Sequence, residues 1–197
     1  MPARTLPKRV LERGGRSLHT RPMLLVMSGL PGTGKSELAR QLGRRLRIPV
    51  FSVDPIESAM LRAGIAASFE TGLAAYLVAE ALADSQLGLG HDAIVDAVNA
   101  VEPAKDMWRS LAAKHATALR IVECCCSDEK LHRERLAGRH RDLVENFREP
   151  TWDDVAQRRL ESTPWSEPRL LVDAVSPCAL NVDRVLAWLE SGSAPVP

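Results

Sequence analysis

Short runs of consecutive apolar residues alternate along this chain with longer stretches in which apolar positions recur every three or four residues. The short runs read as strands buried on both faces, and the longer stretches as amphipathic helices. A first strand covers residues 23–28 and is followed by a helix reaching about residue 46. A second strand, 48–53, is stopped by Asp54-Pro55, and alanine-rich helix follows over 56–62 and 69–87, broken around Gly64. Gly88 and Gly90 lead into a third strand at 93–96, then a helix over 103–114 and a fourth strand over 118–124. After a basic, polar stretch at 127–148 come a helix at 152–159, a fifth strand at 169–173 and a last helix at 182–189. This alternation predicts an α/β fold in which helices cover both faces of a parallel sheet. No internal repeat or linker divides the chain, so one domain is expected over 22–190, with a basic arm at 1–21 and a flexible tail at 191–197.

In such a sheet ligands collect at the carboxyl ends of the strands. Three segments bring chemistry to that edge. The first, Gly29-Leu30-Pro31-Gly32-Thr33-Gly34-Lys35-Ser36, is a complete G-x-x-x-x-G-K-S phosphate-binding loop, set between a predicted strand and a predicted helix. Its glycines let successive N–H groups face one centre, and the helix N-terminus adds partial positive charge. Lys35 is suited to reach the β- and γ-phosphates, and the Ser36 hydroxyl to ligate Mg²⁺. Binding of a nucleoside triphosphate is the expected consequence.

Asp96 closes the run Ala93-Ile94-Val95-Asp96, where a carboxylate either steers Mg²⁺ through its water shell or simply caps a strand end. Asp54 closes the second strand and precedes Pro55. It reads either as a helix N-cap or as a base that orients an acceptor hydroxyl towards the γ-phosphate. Glu57, one turn further on, is a second group for acceptor contact or a solvated helix residue.

The segment from Ser127 to Arg141 carries Arg133, Arg135, Arg139 and Arg141. Guanidinium groups neutralise charge spread over a migrating phosphoryl group. Arg135 and Arg139 share a helix face if the helix continues through Gly138. The segment is then either a mobile lid that excludes water or a solvated surface helix.

Composition narrows the partners. A net charge of +1 over 197 residues argues against recruitment by nucleic acid or an anionic membrane. No apolar stretch approaches a membrane span, and the basic N-terminus lacks the apolar centre of a secretory signal and reads as a solvated arm or, as the alternative, a basic transit peptide. Cys124, Cys125 and Cys126 are adjacent, which gives poor tetrahedral metal geometry and suits reduced thiols at a strand end in a cytoplasmic protein.

The phosphate loop, Asp54, the stretch from Gly90 to Asn99 and Arg135-Leu136-Ala137-Gly138-Arg139 occur in an order that resembles the small P-loop kinases of the "predicted kinase" group. That group is related to the polynucleotide 5′-kinase domain, gluconate kinase and chloramphenicol phosphotransferase. The resemblance, over about 22–190, implies a three-layer P-loop NTPase fold. Its five-stranded parallel sheet would have the order 2-3-1-4-5, with an arginine-bearing lid at about 127–148. It also implies ATP with Mg²⁺, an acceptor-activating role for Asp54, a Walker-B-like position for Asp96, and phosphate-facing roles for Arg135 and Arg139. Adenine would sit between the base of the lid and residues 173–181, with Trp152 and Trp165 as stacking surfaces or packing residues. Many relatives carry arginine three residues after the strand-two aspartate, where this chain has Glu57, so an acceptor with an anionic group there is disfavoured. The leading expectation is a kinase that phosphorylates a small-molecule hydroxyl. A 5′-hydroxyl nucleic-acid kinase and a non-catalytic ATP-binding module are the alternatives.

Overall fold

β1 (Met23–Ser28) lies at the centre of five parallel strands and is buried along its whole length. The computed structural model describes residues 22–138 and 150–191, and the expected arm at 1–21 lies outside the described residues. The sheet order is β2-β3-β1-β4-β5, as expected, formed with β2 (Val50–Ser52), β3 (Ala93–Asp96), β4 (Ala118–Cys125) and β5 (Arg169–Asp173). Parallel register sets Met27 beside Asp96, and Ser52 beside Asp96 on the other side, so chemistry from three strands converges at one edge.

Because side chains alternate along a strand, β1 feeds two cores. Leu24 and Val26 face α2 (Val53–Arg62), α3 (Phe69–Gly88) and α4 (Glu102–Lys114), packing with Ala75, Ala79, Val95 and Trp108. Met23, Leu25 and Met27 face α1 (Lys35–Leu46) and α7 (Cys178–Ser191), packing with Leu38, Leu42, Val185 and Leu189. Two further helices, α5 (Glu129–Ala137) and α6 (Trp152–Glu161), follow β4. On α3 the buried stripe is Ala75, Ala79 and Ala83, small side chains that let the helix settle close to the sheet.

Several boundaries differ from expectation. β2 is three residues long and α2 begins at Val53, so Asp54 neither ends a strand nor caps the helix. Ser52 occupies the cap, and Asp54 stands in the first helical turn, where Pro55 is tolerated because its missing N–H would have no helical partner. α5 ends at Ala137 with Gly138 as its cap, and Arg139 lies outside the described residues. α7 starts a turn early, at Cys178, because Asn181 Nδ2 donates to the Asp173 carbonyl (2.9 Å) and ties the helix to β5. The helix also takes in Ser191 from the expected tail.

Cys124 and Cys125, the last two residues of β4, alternate as strand residues should. Cys124 is buried, Cys125 is exposed, and burial pushes the Cys124 thiol up to about 12. Among the described residues no cluster of three groups is arranged to hold a metal, and none of the described helices is long and apolar enough to cross a membrane.

Candidate active site

The phosphate loop runs from the end of β1 into α1 with Gly29, Gly32 and Gly34 at φ 141°, 85° and 76°. A β-carbon at Gly29 would run into the Cys124 carbonyl, so the loop's first position tolerates no side chain. Thr33 Oγ1 donates to the Leu30 carbonyl (2.7 Å) and closes the turn. Pro31 is buried beneath it, and Ser36 stands half-buried in the first turn of α1.

Lys35 is 3% exposed, and its Nζ stands 3.9 Å from Asp96 Oδ1, itself buried. Asp96 Oδ2 accepts from the Ser52 hydroxyl (3.0 Å), whereas Oδ1 has no hydrogen bond among the described residues. A buried carboxylate oxygen without a hydrogen bond is costly unless a cation or its water completes it. Lys35 is one such cation; Ser36 and Asp96 are also oxygen donors of the kind that could hold Mg²⁺.

A polar network supports the loop from below. Asn99, in the left-handed region at φ 54°, donates from Nδ2 to the Met27 carbonyl (3.2 Å) and accepts from Trp108 Nε1 (2.8 Å). Its N–H donates to the Tyr76 hydroxyl (3.3 Å), and burial pushes the Tyr76 phenol up to about 12. Gly29 N–H and the Ser28 hydroxyl both donate to the Val98 carbonyl (3.3 Å each), and Trp165 Nε1 donates to Ser28 Oγ (3.1 Å). Trp165 is thus a packing residue, flanked by the Lys105 and Arg109 cations, and not a surface for a base.

On the β2 side of the loop, Asp54 and Glu57 stand on the first turns of α2, both half-buried. Burial raises the Glu57 carboxyl above its ordinary value, the Asp54 charge adds to this, and Arg158 of α6 opposes it. Tyr76 also feels the Asp54 and Arg158 charges, and α2 packs against α3 at this corner.

On the other side of the loop a cavity of about 220 Å³ opens beside Thr33 and Gly34. Its walls are largely apolar, from Leu38, Cys124, Val172, Ala174 and Cys178, and it lies between α5 and the turn after β5. That is where the resemblance implied adenine. Arg135 borders it and donates from Nη1 to the Ala174 carbonyl (2.8 Å). Trp152 is not among the lining residues; it meets His132 edge-on instead, with ring centroids 5.2 Å apart.

Sequence reasoning missed the supporting contacts of Asn99 and Tyr76 and the place of His132 in this neighbourhood. Asn99 carried a faint signal, since asparagine is the ordinary non-glycine residue for a left-handed position. His132 and Tyr76 carried none, because their contacts lie 101 and 23 residues away along the chain.

A family profile described as "AAA domain" matches residues 24–161. No curated protein sequence matches the chain. Among solved structures, the chain is similar to a protein from Chloroflexus aurantiacus j-10-fl named provisionally as a kinase. That match has 24% identity, covers 89% of this chain and 100% of that one, and has a TM-score of 0.68. A gluconokinase from Sinorhizobium meliloti 1021 is similar at 17% identity, covering 88% and 94% of the two chains, with a TM-score of 0.61. The APS kinase of Mycobacterium tuberculosis, solved with AMPPNP and APS, is similar at 19% identity, covering 86% and 98%, with a TM-score of 0.57. The fold is that of P-loop kinases.

Proposed function

The chain belongs to the AAA-domain family, and we propose that it is an ATP-dependent kinase passing the γ-phosphate to a hydroxyl of a small-molecule acceptor. The observation that carries this reading is the buried pair of Lys35 and Asp96 at the carboxyl edge of the sheet, 3.9 Å apart. The glycine loop stands over this pair, an apolar cavity lies on one side of it, and a carboxylate corner on the other.

In this reading the N–H groups of Gly32, Gly34, Lys35 and Ser36 cradle the phosphates and Lys35 neutralises the β- and γ-oxygens. Ser36 and Asp96 would hold Mg²⁺, whose contribution is to neutralise charge on the phosphate oxygens. The apolar cavity beside Leu38 and Val172 takes the adenine. Asp54 orients the acceptor hydroxyl and accepts its proton as the oxygen attacks phosphorus. Arg135 lies at the cavity rim, and its proposed role is to meet charge that develops on the transferred group. Arg139 belongs to the same proposal from its sequence position alone. Phosphoryl transfer asks mainly for positioning and charge neutralisation, which is what this set of residues offers.

The acceptor corner of Asp54, Glu57 and Tyr76 favours a polyhydroxylated or neutral small molecule over one carrying phosphate or carboxylate, because two carboxylates repel an anion. The test is ADP release across a panel of sugars, nucleosides, hydroxylated antibiotics and 5′-hydroxyl oligonucleotides. Release that depends on one small-molecule class supports the reading. Release with oligonucleotides alone replaces the acceptor assignment, and ATP binding without release from any member leaves a binding module.

A further inference from the structure

Helix α5 crosses the rim of the nucleotide cavity and is pinned on both sides by residues one turn apart. Arg135 donates to the Ala174 carbonyl on the base side. On the phosphate side the His132 ring, 1% exposed, places Nε2 2.7 Å from the Pro31 carbonyl. A carbonyl only accepts, so Nε2 carries the proton and donates. The ring lies against Gly32, where a β-carbon would come within 2.9 Å of Cδ2. Trp152, at the start of α6, closes the ring's other side at an interplanar angle of 85°, and Arg133 stands 4.2 Å from the Trp152 centroid. His132 Nδ1 is buried and has no hydrogen bond among the described residues. Leucine or phenylalanine would fill this space without that penalty. Packing alone therefore does not account for a histidine here.

We propose that His132 is a positioning residue for the phosphate loop, acting through the Pro31 carbonyl. The peptide between Pro31 and Gly32 is planar and trans, so its C=O and N–H point in opposite directions. Holding the Pro31 carbonyl towards His132 turns the Gly32 N–H away from α5, keeping it available to an anion in the loop. Without the bond, glycine's freedom lets this peptide rotate and present a carbonyl oxygen where phosphate oxygens would bind. The same contact makes α5, and with it Arg135, follow the state of the phosphate loop. This inference rests on the nucleotide reading of the site but not on any acceptor.

The experiment is calorimetric titration of the full chain with Mg²⁺–AMPPNP and, separately, with adenosine, for the unaltered protein, His132→Phe and His132→Gln. Phenylalanine keeps the ring and loses the donor, while glutamine carries an N–H donor at a comparable reach. We expect His132→Phe to bind AMPPNP at least tenfold more weakly, with adenosine affinity unchanged, and His132→Gln to recover most of the loss. Equal AMPPNP affinity in His132→Phe overturns the proposal, as does an equal loss for adenosine. If His132→Phe fails to fold, ¹⁵N-histidine spectra of the unaltered protein decide: an Nε2-protonated ring whose signals move with AMPPNP but not with adenosine is expected. An Nδ1-protonated ring, or signals indifferent to AMPPNP, overturns it. Failure of the unaltered protein to bind AMPPNP at all would defeat the nucleotide reading itself, and this proposal with it.

Discussion

The Ser52 hydroxyl donates to Asp96 Oδ2 across 3.0 Å and joins the end of β2 to the end of β3. The bond holds the Asp96 carboxylate in one rotamer, with Oδ1 turned towards Lys35 Nζ at 3.9 Å. Asp96→Asn keeps the size and can still accept from Ser52, but it removes the charge. The expected outcome is loss of the Mg²⁺ dependence of ATP binding, read by calorimetry with and without the metal. It should also lower the melting temperature, because Lys35 stays buried without its counter-charge. Ser52→Ala should weaken Mg²⁺–ATP binding by less than Asp96→Asn does.

Lys35→Ala should abolish ATP-dependent stabilisation. A ligand bound only to the folded state raises apparent stability by about 2.7 kcal/mol at a hundred times its Kd. A thermal melt at saturating Mg²⁺–ATP reads this directly, and a shift in Lys35→Ala equal to that of the unaltered protein would contradict the assignment.

Asp54→Asn separates the acceptor role from a structural one. Because Ser52 holds the cap position and Asp54 stands in the first turn of α2, the exchange should leave the melt near native. Acceptor-dependent ADP formation should fall by about a hundredfold or more, the scale of acid–base groups, with ATP affinity little changed. Full turnover would move the acceptor-orienting role to Glu57.

Arg135→Ala should reduce turnover more than it weakens ADP binding, since charge on the migrating group is met mainly in the transition state. Single-turnover transfer compared with ADP titration makes the split visible. An equal loss in both would limit Arg135 to its bond with the Ala174 carbonyl.

Glu102 predicts an acid-sensitive tie between α4 and the segment ahead of β5. Its carboxylate accepts from Arg109 Nη1 (2.8 Å), Thr163 Oγ1 (2.8 Å) and the fully buried Lys105 Nζ (3.2 Å). Those hydrogen bonds, with Arg109 first, hold its pKa at about 2, below the ordinary 4.5. A lowered carboxylate pKa adds stability above the ordinary value, and that stability is lost as the pH falls towards 2. Glu102→Gln should therefore melt lower than the unaltered protein at pH 7, and the gap should close between pH 4.5 and 2. A gap that is constant with pH would show that charge at Glu102 is not its source.

The phosphate loop was legible because strand, glycine turn and helix are contiguous, so local conformational rules place Lys35 and Ser36 without long-range information. Asp96 was legible for the same reason, as the end of a short buried run. Asp54 was legible as a residue near the edge and misjudged in its setting. Apolar Val53 reads as strand, but in the fold its side chain packs into the core from the first turn of α2. The sequence leaves the reach of α5 open, because glycine inside a helical pattern is tolerated or terminal depending on what surrounds it, and Gly138 is terminal.

By itself the sequence determined the α/β alternation, the anion-binding loop and the carboxylates at the sheet edge, because each rests on neighbours along the chain. Tertiary structure alone decided what completes them. Asn99 reaches the Met27 carbonyl 72 residues away, Trp165 reaches Ser28 from 137, and His132 reaches Pro31 from 101. Such contacts exist only after the parallel crossovers have brought distant strand ends to one edge, and no local pattern of polar and apolar residues encodes which side chain will arrive there.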